Sequence, residues 1–407
     1  MTAAAESDRL HALDAVRGFA LTLGVFFHAT MSYLPGPPIW PIQDADPSPA
    51  MGATFFVLHI FRMSLFFLIA GFFGRMLLHR RGTAGFVRDR LRRIGIPLVG
   101  FWPISIASIV AVSVFAWVST HPGVAPPPTP TAPPVGPGVF FPLTHLWFLY
   151  VLLWLYALAL LVRAPIAALD RDGRFRRGVD ACVTHLVRNP LGVIVLAAPF
   201  LAALWFAPAW MMWFGIPPAD TNLVVNPQAL AAFGTAFGFG WLLQRQVDLL
   251  QVIARRWALH LAAALALTVA CLWIAGPQPI LKPAARTAET YAFAVCYGLA
   301  IWTWSFALLG LALTFLSGHS PARRYLADAS YWIYLVHLPL VMFFQALADL
   351  IAWPWWVEYP LILVAAFPIM LGSYELFVRY SWIGAILNGR RFPRPARSPA
   401  KPALQGA

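Results

Sequence analysis

The feature that most narrows what this chain can become is a succession of ten apolar runs of membrane-spanning length. They lie near residues 14–34, 54–78, 95–118, 144–162, 191–210, 229–245, 257–275, 290–316, 330–352 and 355–378. A bilayer's hydrocarbon core takes about twenty apolar residues per helical pass. Inside it every backbone N–H and C=O must find its partner within the segment, and a helix does this. The runs therefore predict an all-α fold, a polytopic transmembrane helix bundle of about ten spans. The sixth run (AAFGTAFGFGWLL) is short and glycine-rich, and is the least secure of the ten.

The charges between the runs test that count. Of 29 lysines and arginines, all but Arg62, Lys282 and Arg286 fall on alternate connections, at the N-terminus, 75–93, 163–188, 245–256, 317–329 and beyond 379. Cytoplasmic loops collect Lys and Arg, so both termini are expected in the cytoplasm. A net charge of +13 would ordinarily suggest a nucleic-acid partner. Here the basic residues sit in short connectors between spans and only 11% of residues are charged, against about 25% in soluble domains. No nucleic acid is expected. The first run carries Arg17 and is too long for a signal-peptide core, so it is expected to stay as a helix. One membrane domain, 1–380, is expected, followed by a basic, disordered cytoplasmic tail, 381–407, against anionic lipid. Cys182, Cys271 and Cys296 fit no metal-ligand spacing and read as structural thiols. No internal repeat is visible, which weighs against inverted-repeat transporter folds.

Two connections on the side opposite the arginines are rich in proline, LPGPPIWPIQDADPSPA (34–50) and HPGVAPPPTPTAPPVGPGVFFP (121–142). They read either as spacers or as a lid over an outer cavity, with Trp40, Phe140 and Phe141 as the aromatic residues that would touch it.

Ionisable residues inside a span are costly to bury and mark functional sites by default. Arg17 and His28, eleven residues apart, leave the same helix face about 16 Å apart along the axis. Depth sorts the others. His28, His59, Arg62 and His145 fall in the outer half and can converge there. Asp14, Arg17, His337, Glu375 and the arginines of RDRLRR (88–93) fall on the inner side. For several of these a plainer role is open. Asp14 and Arg17 can form an i,i+3 ion pair, His59 and His145 can be interfacial, His337 can be a hydrogen-bonded helix contact, and Glu375 can be solvated. Lys282 and Arg286 read as solvated loop residues. Arg62 and His28 lie too deep for such a reading.

Four segments together resemble the acyltransferase-3 family of membrane O-acyltransferases. They are RLHALDAVRGFALTLGVFFH, FRMSLFFLIAGFF with RDRLRRIGIPLV, THLWFLYVLLWLY, and YWIYLVHLPL. Within the family the subgroup most similar is the periplasmic-glucan succinyltransferase-like one. The resemblance implies an acyltransferase of the bacterial inner membrane. It would move an acetyl or succinyl group from cytoplasmic acyl-CoA, its donor substrate, to a glycan hydroxyl on the far side, with no permanently bound cofactor. On this reading His28 and Arg62 are catalytic. His28 acts as general base or as an acylated nucleophile, and Arg62 stabilises the oxyanion or holds an acidic acyl group. Arg17, Arg90 and Arg93 would bind the donor's phosphates, and His59, His145 and His337 the acceptor. No carboxylate is placed beside His28, because Asp14 is about 21 Å away along the same helix. The rival reading is a transporter of an anionic solute or lipid-linked sugar; covalent acyl chemistry separates the two.

Overall fold

In the computed structural model, residues 3–126, 141–207 and 209–393 are described, with side chains from residue 11 onward. They form thirteen α-helices joined by short 3-10 and π turns. These are α1 (Ala3–Ala29), α2 (Pro49–Arg90), α3 (Ile96–Thr120), α4 (Trp147–Leu169), α5 (Arg174–Arg188), α6 (Gly192–Trp205), α7 (Pro227–Leu243), α8 (Leu249–Arg255), α9 (Trp257–Ala275), α10 (Ala288–Phe315), α11 (Pro321–Asp349), α12 (Trp355–Ser373) and α13 (Trp382–Leu387). Seven helical runs among the described residues are long and apolar enough to cross a membrane, and the run Pro49–Thr120 holds both α2 and α3. The pair α5 and α6, bent by 108°, makes an eighth candidate.

Local sequence explains where the helices begin. Ser48, Asn226 and Ser320 cap α2, α7 and α11, each accepting a backbone N–H on its side-chain oxygen and each followed by proline at the first helical position. That pairing satisfies an orphan donor and fixes φ for entry into the helix. Gly82 breaks α2 at φ 67°, a backbone region that favours glycine, and the chain turns there toward α3.

Packing sets the centre. α1 lies against α11 and α2, α2 against α7, and α10 against α9, α6 and α2. The α2–α7 contact is backbone against backbone. A Cβ on Gly71 would fall 2.0 Å from the Phe237 carbonyl oxygen, and one on Gly240 would fall 1.9 Å from that of Leu68. Small residues at such crossings let helices approach where the surrounding lipid supplies no hydrophobic drive.

The depth assigned to His337 is corrected here. The apolar pattern starts the ninth span at residue 330, but α11 begins at Pro321, within the segment carrying Arg323 and Arg324. His337 is then sixteen residues into the helix, about 24 Å along its axis, at the level of the other histidines. Within that helix, Pro339 has no N–H to give to the carbonyl of Leu335. His145 Nε2 takes that acceptor at 3.3 Å and so ties the start of α4 to the middle of α11. After the last span, α13 folds back, and its Leu387 carbonyl accepts from Arg93. The rest of the expected tail, 394–407, lies outside the described residues.

Candidate active site

A cavity of about 410 Å³ opens among α1, α2, α4, α7 and α11. His28, His59, Arg62, His145 and His337 all line it. Three of these histidines form a chain through space. The His337 ring centre lies 5.2 Å from that of His28 and 5.2 Å from that of His145.

The two inner histidines differ in how they are held. His337 is 1% exposed, and its Nδ1 faces the Tyr334 carbonyl at 2.8 Å. A carbonyl only accepts, so in the neutral ring Nδ1 carries the proton and Nε2 the lone pair. That Nε2 is buried and has no partner. His28 presents a buried, unpartnered Nδ1 and is held by its packing between Phe27 and Trp40, at 5.0 and 5.9 Å between ring centres. His145 is fully engaged: Nε2 donates to Leu335, Nδ1 lies 3.4 Å from the Thr144 hydroxyl, and its carbonyl accepts from Tyr334 at 2.7 Å. His59 lies 3.3 Å from the Tyr297 hydroxyl and stacks on Phe55.

Arg62 is the centre of the site's electrostatics. It is 8% exposed, and its Nε and Nη1 have no hydrogen-bond partner. It makes no ion pair among the described residues, and the Phe27 ring lies 4.0 Å beneath the guanidinium carbon. A Cβ at Gly24 would sit 3.4 Å from His337 Nε2 and 3.8 Å from Arg62 Nη1, so the guanidinium and the bare imidazole nitrogen border one small space. An unpaired buried cation beside a proton acceptor suits an anion that develops as a hydroxyl is deprotonated.

The three arginines expected at the donor lie elsewhere, Arg17 and Arg90 in ion pairs and Arg93 on a backbone carbonyl. Arg17 pairs with Asp14 at 3.1 Å. Arg90 pairs with Asp89 and donates to the Tyr156 hydroxyl, and Arg93 donates to Leu387. Arg93 is within electrostatic reach of both Arg90 and Arg17, so the three raise the positive potential at that end of the bundle. None of them lines the cavity. Glu375 accepts from Tyr325, Arg379 and Tyr380 at the same end.

The sequence reading missed three residues. Asp220, in the loop between α6 and α7, lines the cavity, so a carboxylate does share the site with His28. Burial pushes its carboxyl above the ordinary range. Tyr334 also lines the cavity, and its hydroxyl donates to the His145 carbonyl at 2.7 Å. Gln345 braces Trp40, a wall of the cavity, against α1: its Oε1 accepts from Trp40 Nε1 at 3.0 Å, and its Nε2 donates to the His28 carbonyl at 3.0 Å. The first proline-rich loop thereby places Ile39, Trp40 and Pro41 against the cavity. In the second, Phe141 stacks on Trp102 at 4.6 Å, and Phe140 lies outside the described residues.

Comparison with known proteins follows the same lines. The family model described as "Acyltransferase domain", the third acyltransferase family, matches residues 10–375. A protein named "Glucans biosynthesis protein C" from Escherichia coli O139:H28 (strain E24377A / ETEC) is 24% identical over 395 residues, covering 94% of this chain and 95% of the relative. The protein of the same name from Escherichia coli (strain SMS-3-5 / SECEC) is 33% identical over 100 residues, covering 24% of this chain and 25% of the relative. No solved structure matches significantly.

Proposed function

The chain belongs to the acyltransferase-3 family, and from that premise we propose that it moves an acetyl or succinyl group from cytoplasmic acyl-CoA to a glycan hydroxyl across a bacterial inner membrane. The observation that carries the proposal is Arg62, buried without a counter-anion among the described residues and beside the unpartnered nitrogens of His28 and His337. The glycan we favour is a glucan, because a relative matched over nearly its whole length is named for glucan biosynthesis. We read ten passes, with α2 and α3 as separate spans and α6 and α7 each crossing once, and both termini in the cytoplasm.

The chemistry follows from the residues. The acceptor hydroxyl gives its proton to His28 as its oxygen attacks the thioester carbonyl. Charge then develops on the carbonyl oxygen, and Arg62 is positioned to receive it without reorganising. The C–S bond breaks, and the thiolate recovers the proton from the imidazolium. His28 can instead take the acyl group first and pass it to the hydroxyl. His59 and His337 hold the acceptor, His337 Nε2 offering it a fixed hydrogen-bond acceptor, while His145 contributes by fixing α4 against α11. For a succinyl donor, Arg62 also suits the free carboxylate.

Mass spectrometry of envelope glycans from cells with and without the protein tests the reading. A shift of one acyl mass that disappears in a His28→Ala strain supports it. Full acylation in that strain, together with no acyl-CoA turnover by the purified protein, sinks it.

A further inference from the structure

A second cavity of about 640 Å³ runs between α4 and α7. On α7, Phe233 faces the first cavity, while Gly234 and Phe237 face the second; on α4, Phe148 and Leu155 divide in the same way. The second cavity extends from Leu230 to Leu242, about 18 Å along α7. Its walls are apolar, and nothing lies within 4 Å of a Cβ placed on Gly238. Its mouth, at the arginine-rich end, is formed by Arg75, His79, Arg163, Arg176 and Arg245.

The charges at that mouth do not cancel. Asp180 engages Arg245, and Asp170 engages Arg176. Arg75 donates only to the neutral Gln244 side chain, and Arg163 makes no ion pair among the described residues. Arg75 feels the like charges of Arg245 and Arg163 and, in the opposite sense, the carboxylate of Asp180. Two guanidiniums with no ion pair among the described residues, Arg75 and Arg163, therefore face a long narrow cleft.

A partition of aromatic rings forms the wall of the first cavity on its α4 and α7 side. Phe67 lies 4.9 Å from Phe148 and 4.9 Å from Phe233, and Phe66 meets Phe148 at 4.4 Å between ring centres.

We propose that this cleft, and not the Arg17–Arg90–Arg93 group, is the seat of the phosphate-bearing acyl donor. Its phosphates bind Arg75 and Arg163 at the mouth, its arm lies along α4 and α7, and its thioester passes the phenylalanine partition to reach Arg62 and His28. The proposal rests on the acyl-CoA reading above and adds where and how that donor binds. Guanidinium groups take phosphate oxygens in paired hydrogen bonds, and a cleft about 18 Å long matches an arm rather than a compact solute.

The test uses the full-length protein in detergent or nanodiscs, with succinyl-CoA and acetyl-CoA as donors. Arg75→Gln and Arg163→Gln are each expected to raise the donor KM by about tenfold, the loss of one charge-assisted contact. The acceptor KM and kcat should stay near wild type. Gly238→Phe, which fills the cleft and alters no charge, is expected to raise the donor KM as well. Thermal unfolding midpoints within a few degrees of wild type show that the variants fold. The proposal is overturned if these variants leave the donor KM unchanged while Arg17→Gln or Arg93→Gln raises it. It is also overturned if the arginine variants lose only a co-purifying anionic phospholipid. In both cases transfer by the wild type would leave the acyltransferase reading intact; absence of any transfer or donor binding by the wild type would remove that reading itself.

Discussion

Replacing Arg62 by methionine should stabilise the protein while abolishing its activity. The guanidinium is 8% exposed, has no carboxylate partner among the described residues, and leaves Nε and Nη1 without acceptors. Desolvating an ion costs several kcal/mol even after relaxation. The Phe27 face at 4.0 Å returns about 2 kcal/mol. Methionine keeps most of the side-chain volume and removes the unpaired charge, so a net gain on the order of 1–2 kcal/mol is expected. Loss of an oxyanion donor lowers kcat by about 10²–10³-fold. The trade between stability and activity would then be located at a single residue. The assay pairs thermal unfolding in nanodiscs with acyl transfer measured by mass spectrometry. A lower unfolding midpoint for Arg62→Met would mean that the charge has a structural partner, and a near-normal rate would remove Arg62 from the chemistry.

Two further substitutions probe what holds and tunes the site. Gly240→Ala puts a methyl 1.9 Å from the Leu68 carbonyl oxygen, where a C···O contact needs about 3.3 Å. α2 and α7 must then part by more than an ångström, and a cost of about 1–3 kcal/mol should appear as a lower unfolding midpoint. Asp220→Asn tests linkage. Burial raises the Asp220 carboxyl in the folded state, so the fold binds that proton more tightly than the unfolded chain. Its contribution to stability is present below the ordinary aspartate range and is lost as pH rises through the raised value. The asparagine variant should show a flatter stability–pH curve over that window, and an unchanged slope would mean that the carboxyl is solvated.

The sequence made some of this legible and hid the rest for identifiable reasons. Apolar run length reports directly on burial in lipid, so helices appear at each of the ten runs. Depth along antiparallel helices brought His28, His59, Arg62 and His145 to one level, because rise per residue is constant. His337 was misplaced because hydropathy was read as the start of the span, although Ser320–Pro321 already marked the helix N-terminus. Asp220 had no signal of its own: a loop residue's position depends on how the loop folds over the bundle. The α4–α7 cleft was equally hidden, since it exists only once those helices are neighbours. Arg17, the most prominent charge of the first run, turned out to be satisfied by Asp14.

The mouth of the cavity offers a way to separate catalysis from transport. Trp40 is latched by Gln345, which in turn grips the last turn of α1 at the His28 and Ala29 carbonyls. On the α4 and α7 side the packed phenylalanines wall the same cavity. A transporter must open both ends around a whole solute in turn, whereas an acyltransferase needs only a thin arm on one side and a hydroxyl on the other. In the latter case the latch has a specific task, which is to keep water from competing for the thioester at Arg62 and His28. Gln345→Ala removes both grips while leaving the catalytic side chains in place. It should raise donor hydrolysis in the absence of acceptor severalfold and lower the fraction of acyl groups delivered to glycan. Release of free thiol from acyl-CoA, followed with and without acceptor, measures both quantities. Unchanged hydrolysis in the variant would mean that Trp40 does not guard the thioester, and the case for a closed reaction chamber would fail with it.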